Sequence, residues 1–589
     1  MPGEPQAYRF GPFALVVDDH QLLQGEAEIP LRPKAFQTLV HLVRRHGHVV
    51  GKQELLDRVW PETNVSEAVL THCIAEVRQA LQDDARQPRY LKTVSRAGYR
   101  FIAEVTVHHP VGPAPSASPA AVAAARRPLT AIAVLPFANI SGDPGNEFFC
   151  DGLSEELING LTQVPALRVV AHSSSFSFKG RDVDAREIGR QLNVGSILEG
   201  SVRKTGRRLR ISAQLIDAND GYHVWSEQYD RRLEDVFAIQ DEISLAILSK
   251  VKGSVPGGPV LPRRAGHDLE AYELYLKGRS FWHRRFKGAL PRAMECFEQA
   301  IERDPGLAVA YTGLADSLST LGVWGFAPPA SVFPRAVALV DQALALEPGL
   351  AEGHASRGLL RMFHEWDWAG AVGQLSRAVA LNPGNALVRL WNSHALSIAG
   401  RWDEAIDEVL LARDLDPLSA VVVANAGWTY HLAGRHERAI EALQQVLAAD
   451  PRNGMALFYQ GYPLAELNRY DEARASFEAA LDATGGMPWA AESLAWVHGL
   501  EGDRERARAL LNDSLARMKT AYVPASAIAL VFLGLGEDRS VFEWLDRCVE
   551  DRDAIVPWMK HMPCFDRLRP HHRFQEFLQR VGLADALVP

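Results

Sequence analysis

The chain has 589 residues, 47% of them hydrophobic and 23% charged, with a net charge of −9 at pH 7. One hydrophobic core stops growing well short of that length, so three or more domains are expected. The acidic balance excludes a protein that coats nucleic acid with its whole surface, but leaves room for a local DNA-binding face.

The five cysteines, Cys73, Cys150, Cys296, Cys548 and Cys564, are far apart and show no CxxC spacing, as reduced thiols in a cytosol would. No signal-peptide pattern is read at the start. The longest apolar run, Ala525 to Leu535, falls well short of the roughly 18 residues a membrane helix needs. A soluble, cytoplasmic, nucleoid-associated protein with no membrane contact is therefore expected.

Tyr8 to Phe13, Ala14 to Val17, Gln21 to Leu23 and Glu28 to Leu31 read as short strands, broken by Gly11-Pro12, Asp18-Asp19 and Gly25. Pro33 opens a helix with Phe36, Leu39, Val40 and Val43 on its apolar side, and Gly47 ends it. A second helix, Lys52 to Trp60, stops at Pro61. From Ser66 the apolar residues Leu70, Ile74, Val77 and Leu81 form a helical stripe that faces a core. Thr71, His72, Ala75, Glu76, Arg78, Gln79 and Gln82 point the other way. Tyr90 to Val94 and Tyr99 to Ile102 then alternate as two strands, with Ser95-Arg96-Ala97-Gly98 supplying the glycine of a tight turn.

Ile74, Val77, Arg78 and Leu81 match I-x-x-L-R-x-x-L, and Thr93, Val94, Gly98, Tyr99, Arg100 and Phe101 match T-V-x-x-x-G-Y-R-F. On these residues the segment resembles an OmpR/PhoB-type winged helix-turn-helix domain. The resemblance implies a helix lying in the DNA major groove and a hairpin, the wing, reaching the adjacent minor groove and backbone. On it we assign Thr71, His72, Ala75 and Glu76 to base edges, Arg78 and Lys92 to phosphates, and Thr93, Arg96 and Arg100 to positioning the wing. Cys73 reads as a small packing residue, and Tyr99 and Phe101 as core. The chain departs from its relatives at Ala75 and Glu76, where they often carry arginine or lysine. Between Met1 and Val105 there are 13 Lys and Arg against 13 Asp and Glu. That neutral balance and Glu76 keep open an alternative, a non-enzymatic interaction scaffold with a vestigial DNA-binding head.

Residues 108–128, rich in Pro, Ala and Ser, read as a flexible tether after a first domain at 1–107. Residues 129–252 alternate strand and helix, an α/β layer. AVLPF, DGLSEELINGL, LEGSVR and RISAQLIDANDGYHVWSEQYD resemble the TolB amino-terminal-like domain. Asp151, Glu155 and Glu156 read as the acidic first turn of a helix from Cys150 to Leu161, complementing its dipole. The glycines fit neither GxxxxGK[ST] nor GxGxxG, and the 20 histidines show no HExxH spacing. No catalytic residue, metal site or cofactor is expected.

After a second joint at 253–266, Asp304-Pro305, Glu347-Pro348, Asn382-Pro383, Asp416-Pro417 and Asp450-Pro451 recur at intervals of 43, 35, 34 and 34 residues. That period is the mark of tetratricopeptide repeats. Alanines fall twelve and five residues before each of the first four prolines, from Ala293 and Ala300 to Ala405 and Ala412, and the fifth keeps Ala439 but has Val446. The longer first interval predicts a loop at Val323 to Ala330. Degenerate units continue to about Glu550, and Phe574, Phe577, Leu578 and Val581 predict a closing helix. Trp366, Trp368, Trp391 and Trp402 are candidates either to line a groove or to pack between helices.

The expected architecture is a winged helix (α+β), then an α/β domain, then an all-α superhelix over 267–589. The expected partners are double-stranded DNA and a protein partner or ligand on the repeats, with dimerisation, where it occurs, supplied by the rest of the chain. The expected function is transcriptional regulation under control of the middle domain or the repeats.

Overall fold

The computed structural model describes residues 7–16, 21–24, 27–29, 31, 33–59, 67–84, 88–94, 98–103, 105–108, 130–164, 167–251, 268–284, 288–486 and 489–584. The tether read at 108–128 (apart from His108), the joint at 253–266, Arg96 and the rest of the wing turn before Gly98 lie outside them. The chain forms two compact units, Met1–Arg127 and Pro128–Pro589.

The first unit opens with β1 (Ala7–Phe10), β2 (Phe13–Val16), β3 (Gln21–Gln24) and β4 (Ala27–Ile29). Then come α1 (Pro33–Arg44), β5 (Val49–Gly51), α2 (Lys52–Val59), α3 (Glu67–Leu81), β6 (Leu91–Val94), β7 (Gly98–Phe101) and β8 (Thr106–His108). β8 returns to pair with β1, giving a sheet of order β4-β3-β2-β1-β8, while β5-β7-β6 forms a second sheet. The expected apolar stripe is fully buried: Leu70, Ile74, Val77 and Leu81 meet Phe36, Leu39 and Val43 of α1 and Phe101 of β7. Tyr99, Phe101 and Cys73 are buried as read from the sequence. Gly98 is required where it stands. Its φ is +144°, and a Cβ there would lie 2.0 Å from the carbonyl oxygen of Val50 on the paired strand.

In the second unit, β9 (Thr130–Val134), β10 (Ala138–Asn139), α4 (Glu147–Thr162), β11 (Leu167–Val169), α5 (His172–Phe176) and α6 (Ala185–Leu192) lead into three long strands. These are β12 (Ser196–Thr205), β13 (Arg208–Asp217) and β14 (His223–Arg232), followed by α7 (Val236–Val251). The sheet order is β11-β9-β12-β13-β14, parallel on the β11 side and antiparallel on the β14 side. Alternate strand residues face α4 and α7 on one side, through Leu157 and Ile243, and α6 on the other, through Ile188. One sequence expectation fails. α4 starts at Glu147, three residues before Cys150, so Asp151 and Glu155 stand beyond its first turn and do not serve its dipole. Asp151 pairs with Lys179, and Glu155 is buried.

The repeats are helix pairs: α8 (Leu269–Arg284) with α9 (Ala289–Arg303), α10 (Ala308–Val323) with α11 (Pro329–Leu346), and α12 (Ala351–Leu360) with α13 (Trp368–Leu381). They continue as α14 (Ala386–Ile398) with α15 (Trp402–Leu415), α16 (Ala420–Leu432) with α17 (His436–Ala449), and α18 (Gly454–Glu466) with α19 (Tyr470–Thr484). The degenerate units are α20 (Ala490–Glu501) with α21 (Arg504–Arg517) and α22 (Ala525–Leu535) with α23 (Asp538–Glu550). A short α24 (Val556–Met559) and the predicted closing helix, α25 (His572–Arg580), end the array. The recurring alanines are buried between paired helices. Glycines of the first helix make way for large residues of the second: a Cβ on Gly427 would meet Leu443 at 2.7 Å, and one on Gly461 would meet Phe477 at 2.3 Å. Each pair leaves an apolar face for its neighbour, so the stack behaves as a solenoid.

Candidate functional site

α3 has 15 residues, about 22 Å of helix. With one side committed to the core, Thr71, Ala75, Gln79 and Gln82 are exposed on the other, and Glu76 and Arg78 are half-buried beside them. Nothing is described of the His72 side chain. The wing is tied to this helix by two devices. Arg78 Nη2 donates to the Leu91 carbonyl oxygen at 3.0 Å and to Thr93 Oγ1 at 2.7 Å. The Asp83 carboxylate accepts the backbone N–H groups of Arg89, Tyr90 and Leu91 at 2.6, 3.2 and 2.8 Å, so the connection between helix and wing is pinned from within. Two residues assigned separately to phosphate and to the wing, Arg78 and Thr93, thus form one contact. Lys92 is exposed on β6, and Arg100 is half-buried on β7 opposite it. Behind α3, Lys34 caps α2 by donating to the Val59 carbonyl at 2.6 Å, and Glu54 accepts from His41 at 3.2 Å.

The second unit holds a polar cluster that sequence spacing did not reveal. Glu155 of α4 accepts from Arg279 Nη2 and Nε at 2.7 and 3.1 Å and from His283 Nε2 at 3.0 Å, and the His172 and His283 rings stack 4.0 Å apart. Burial alone would raise the Glu155 carboxyl, but Arg279 and His283 outweigh it and hold it well below the carboxylate range. Burial, then His283, keeps His172 well below its ordinary value. Ligand atoms of Glu155, His172 and His283 all lie within 4.8 Å of one another. The carboxylate oxygen between them already carries a guanidinium, however, and the arrangement is that of a salt bridge rather than a cation cage. It fastens the middle domain to α8. A second fastening lies at α15, where Asp416 accepts from the backbone N–H and the hydroxyl of Ser174 at 2.9 and 2.6 Å, and Arg168 donates to the Asp414 carbonyl at 2.8 Å.

The first helices of the repeats surround a cleft of about 150 Å³. Trp391 lines it; the other candidate tryptophans do not. Trp368 is buried, donating to the Val581 carbonyl at 3.1 Å, Trp366 lies under Arg552 at 4.4 Å, and Trp402 meets the edge of His561 at 5.0 Å.

Comparison with known proteins gives matches to three stretches of the chain. Residues 25–101 match the family model described as transcriptional regulatory protein, C terminal. The chain carries an OmpR/PhoB-type winged-helix domain. Residues 129–245 match the second domain of HilA/YgeH-like transcriptional regulators, and residues 428–488 match a tetratricopeptide repeat. The chain is 40% identical over 202 residues to "Putative adenylate cyclase 3" of Rhizobium meliloti, a match covering 34% of this chain and 34% of that protein. It is 23% identical over 412 residues to "Transcriptional regulator HilA" of Salmonella typhimurium, covering 69% of this chain and 70% of that one. The DNA-binding domain of Escherichia coli CadC is similar to 18% of this chain at 28% identity, with 98% of that domain covered and a TM-score of 0.17. Among the described residues no helix is long and apolar enough to cross a membrane.

Proposed function

We propose that the protein is a transcriptional regulator that reads duplex DNA with α3 and the β6–β7 wing, under control of what the second unit binds. The observation that carries this reading is the joining of an exposed polar helix face to a wing through Arg78, Thr93 and Leu91, because a reading helix needs its wing in fixed register. Thr71, His72, Ala75 and Glu76 face base edges, and Gln79 joins them, since a glutamine amide can bond an adenine edge bidentately. Lys92 meets phosphate, Thr93, Arg96 and Arg100 position the wing, and Arg78 acts first as the staple and adds charge near the backbone. The match to HilA, named a transcriptional regulator, supports a role in transcription. The relative named a cyclase has two thirds of its length outside the match, and we carry no catalysis over from it.

The middle domain, TolB-like in its succession of strands and helices, is fastened to the array and relays the state of the repeats rather than acting alone. Self-association through the second unit brings two heads to one operator and raises affinity through local concentration. Genome-wide occupancy of the intact protein tests the reading: recovery of a shared sequence element supports it, and occupancy without any shared element favours the scaffold with a vestigial head.

A further inference from the structure

The cleft inside the array is unlike a surface groove for a polar peptide. Of the chain's 13 tryptophans, six line this one space: Trp282, Trp324, Trp391, Trp428, Trp489 and Trp558. They arrive from α8, the end of α10, α14, α16, the residue before α20, and α24, so five of them come from repeats and the sixth from the terminal segment, which packs back on the earlier repeats. That segment is held in place. Arg552 donates to the His364 carbonyl at 3.2 Å, His561 meets the Ile398 carbonyl at 3.1 Å, and the Trp558 ring stands 5.1 Å from His394 and 6.1 Å from Phe363.

Charge decides what this space can take. Among the described residues no lysine or arginine lines it, and Asp316 is the one acidic group that does. Asp316 is 9% exposed, accepts the Ser356 hydroxyl at 2.6 Å, and lies close enough to Arg279 to help keep that guanidinium charged. His394 also lines the cleft, with its Nε2 3.1 Å from Asn425 Oδ1; burial lowers its pKa to about 4, so it is neutral at pH 7. A phosphate or carboxylate would lose its hydration here and find no cation. A second cation would find the carboxylate already shared. What remains is an aromatic-lined space with a few neutral polar groups on its wall, the pattern of a small-molecule site.

We propose that this cleft binds an uncharged, ring-containing apolar small molecule, stacked among the tryptophans, with any hydroxyl or carbonyl it carries directed to the His394–Asn425 edge. The inference rests on the reading of the second unit as the controlling part, and it supplies the effector class. A molecule seated there touches early repeats and the terminal segment at once, so its binding favours the arrangement in which the two are in contact.

The test uses the full chain without DNA, so that its failure is separate from any failure of DNA binding. The probe is N-phenyl-1-naphthylamine, an uncharged two-ring dye, followed by its emission and by energy transfer from tryptophan, with the sulfonated analogue 1-anilinonaphthalene-8-sulfonate as the charged control. Saturable binding to one site is expected, weakened about tenfold or more by Trp391→Ala through loss of one stacking face, and at least as much by the sulfonate. Leu418→Ser, at an exposed leucine away from the cleft, leaves binding unchanged. Melting curves check each variant; if Trp391→Ala does not fold, half-buried Trp324→Ala is read in its place. Absence of dye binding, equal affinity of the folded cleft variant, or equal affinity for the sulfonate overturns the proposal.

Discussion

Replacing Arg78 with alanine separates two ways in which an arginine can serve a DNA-binding domain. In the structure its Nη2 spans from α3 to the wing, reaching the Leu91 carbonyl at 3.0 Å and Thr93 Oγ1 at 2.7 Å. Each such bond from a charged donor contributes about 1 kcal/mol or somewhat more after exchange with water, so Arg78→Ala should cost the first unit about 2 kcal/mol. For a domain of this size that lowers the melting temperature by about 10 °C. A lysine keeps the charge but has no planar fork to meet both acceptors, so Arg78→Lys should lose most of the same stability. The assay is duplex binding by the full chain as a function of salt, beside thermal unfolding of the first unit. If Arg78 is a staple, both variants bind all sequences about tenfold more weakly because the wing is no longer registered, while the slope of log affinity against log salt changes by less than half a phosphate's worth. If it is chiefly a phosphate contact, alanine flattens the slope by about 0.9, lysine restores it, and stability does not move. That second pattern would refute the reasoning.

Gly98→Ala should destabilise the first unit by about 3 kcal/mol or more, since a left-handed φ is joined by a Cβ placed against the Val50 carbonyl; unfolding monitored on the first unit checks it, and a neutral effect would contradict the strand pairing. Glu155→Gln should cost the second unit about 3 kcal/mol because Arg279 is left buried without its counter-charge, with looser attachment of the middle domain visible as increased hydrogen exchange in α4. The lowered Glu155 pKa means that its stabilisation is present above the unfolded carboxyl value and is lost as pH falls through the folded one, a dependence that Glu155→Gln removes. His394, neutral in the fold down to about pH 4, and His172, also lowered, make the second unit lose stability as pH falls below about 6.5, where the unfolded imidazoles take up protons. His394 alone accounts for about 3 kcal/mol between pH 6.5 and 4. Denaturant midpoints across that range that do not fall would contradict the burial of these rings.

Local rules made much of this legible in the amino-acid order. A 34-residue recurrence of alanines and Asp-Pro or Asn-Pro steps reports helix pairs because each pair obeys the same close-packing condition wherever it sits. The α3 stripe and the Gly98-Tyr99-Arg100-Phe101 strand were legible for a similar reason, as period and turn chemistry act over a few residues. What escaped depends on contacts between distant positions. The bonds of Arg78 to partners 13 and 15 residues on are not written in any local spacing. The acidic run at Asp151 looked like a helix start, while the true one follows Asn146, a residue type favoured at that position but making no side-chain capping bond here. Glu155 and Arg279 are 124 residues apart, and no periodicity connects them. Of the four tryptophans singled out, only Trp391 lines the cleft, because superhelical turn rather than position within a repeat decides which rings converge.

The central claim is that the first unit grips duplex DNA through the exposed face of α3, and titration of the purified full chain onto a randomised duplex pool at rising salt tests it most directly. The account predicts saturable binding that falls steeply between about 50 and 200 mM salt, with an enriched sequence whose preference, though not its salt slope, is altered by Gln79→Ala. No duplex binding at about 50 mM salt, or binding indifferent to both salt and sequence, would contradict it.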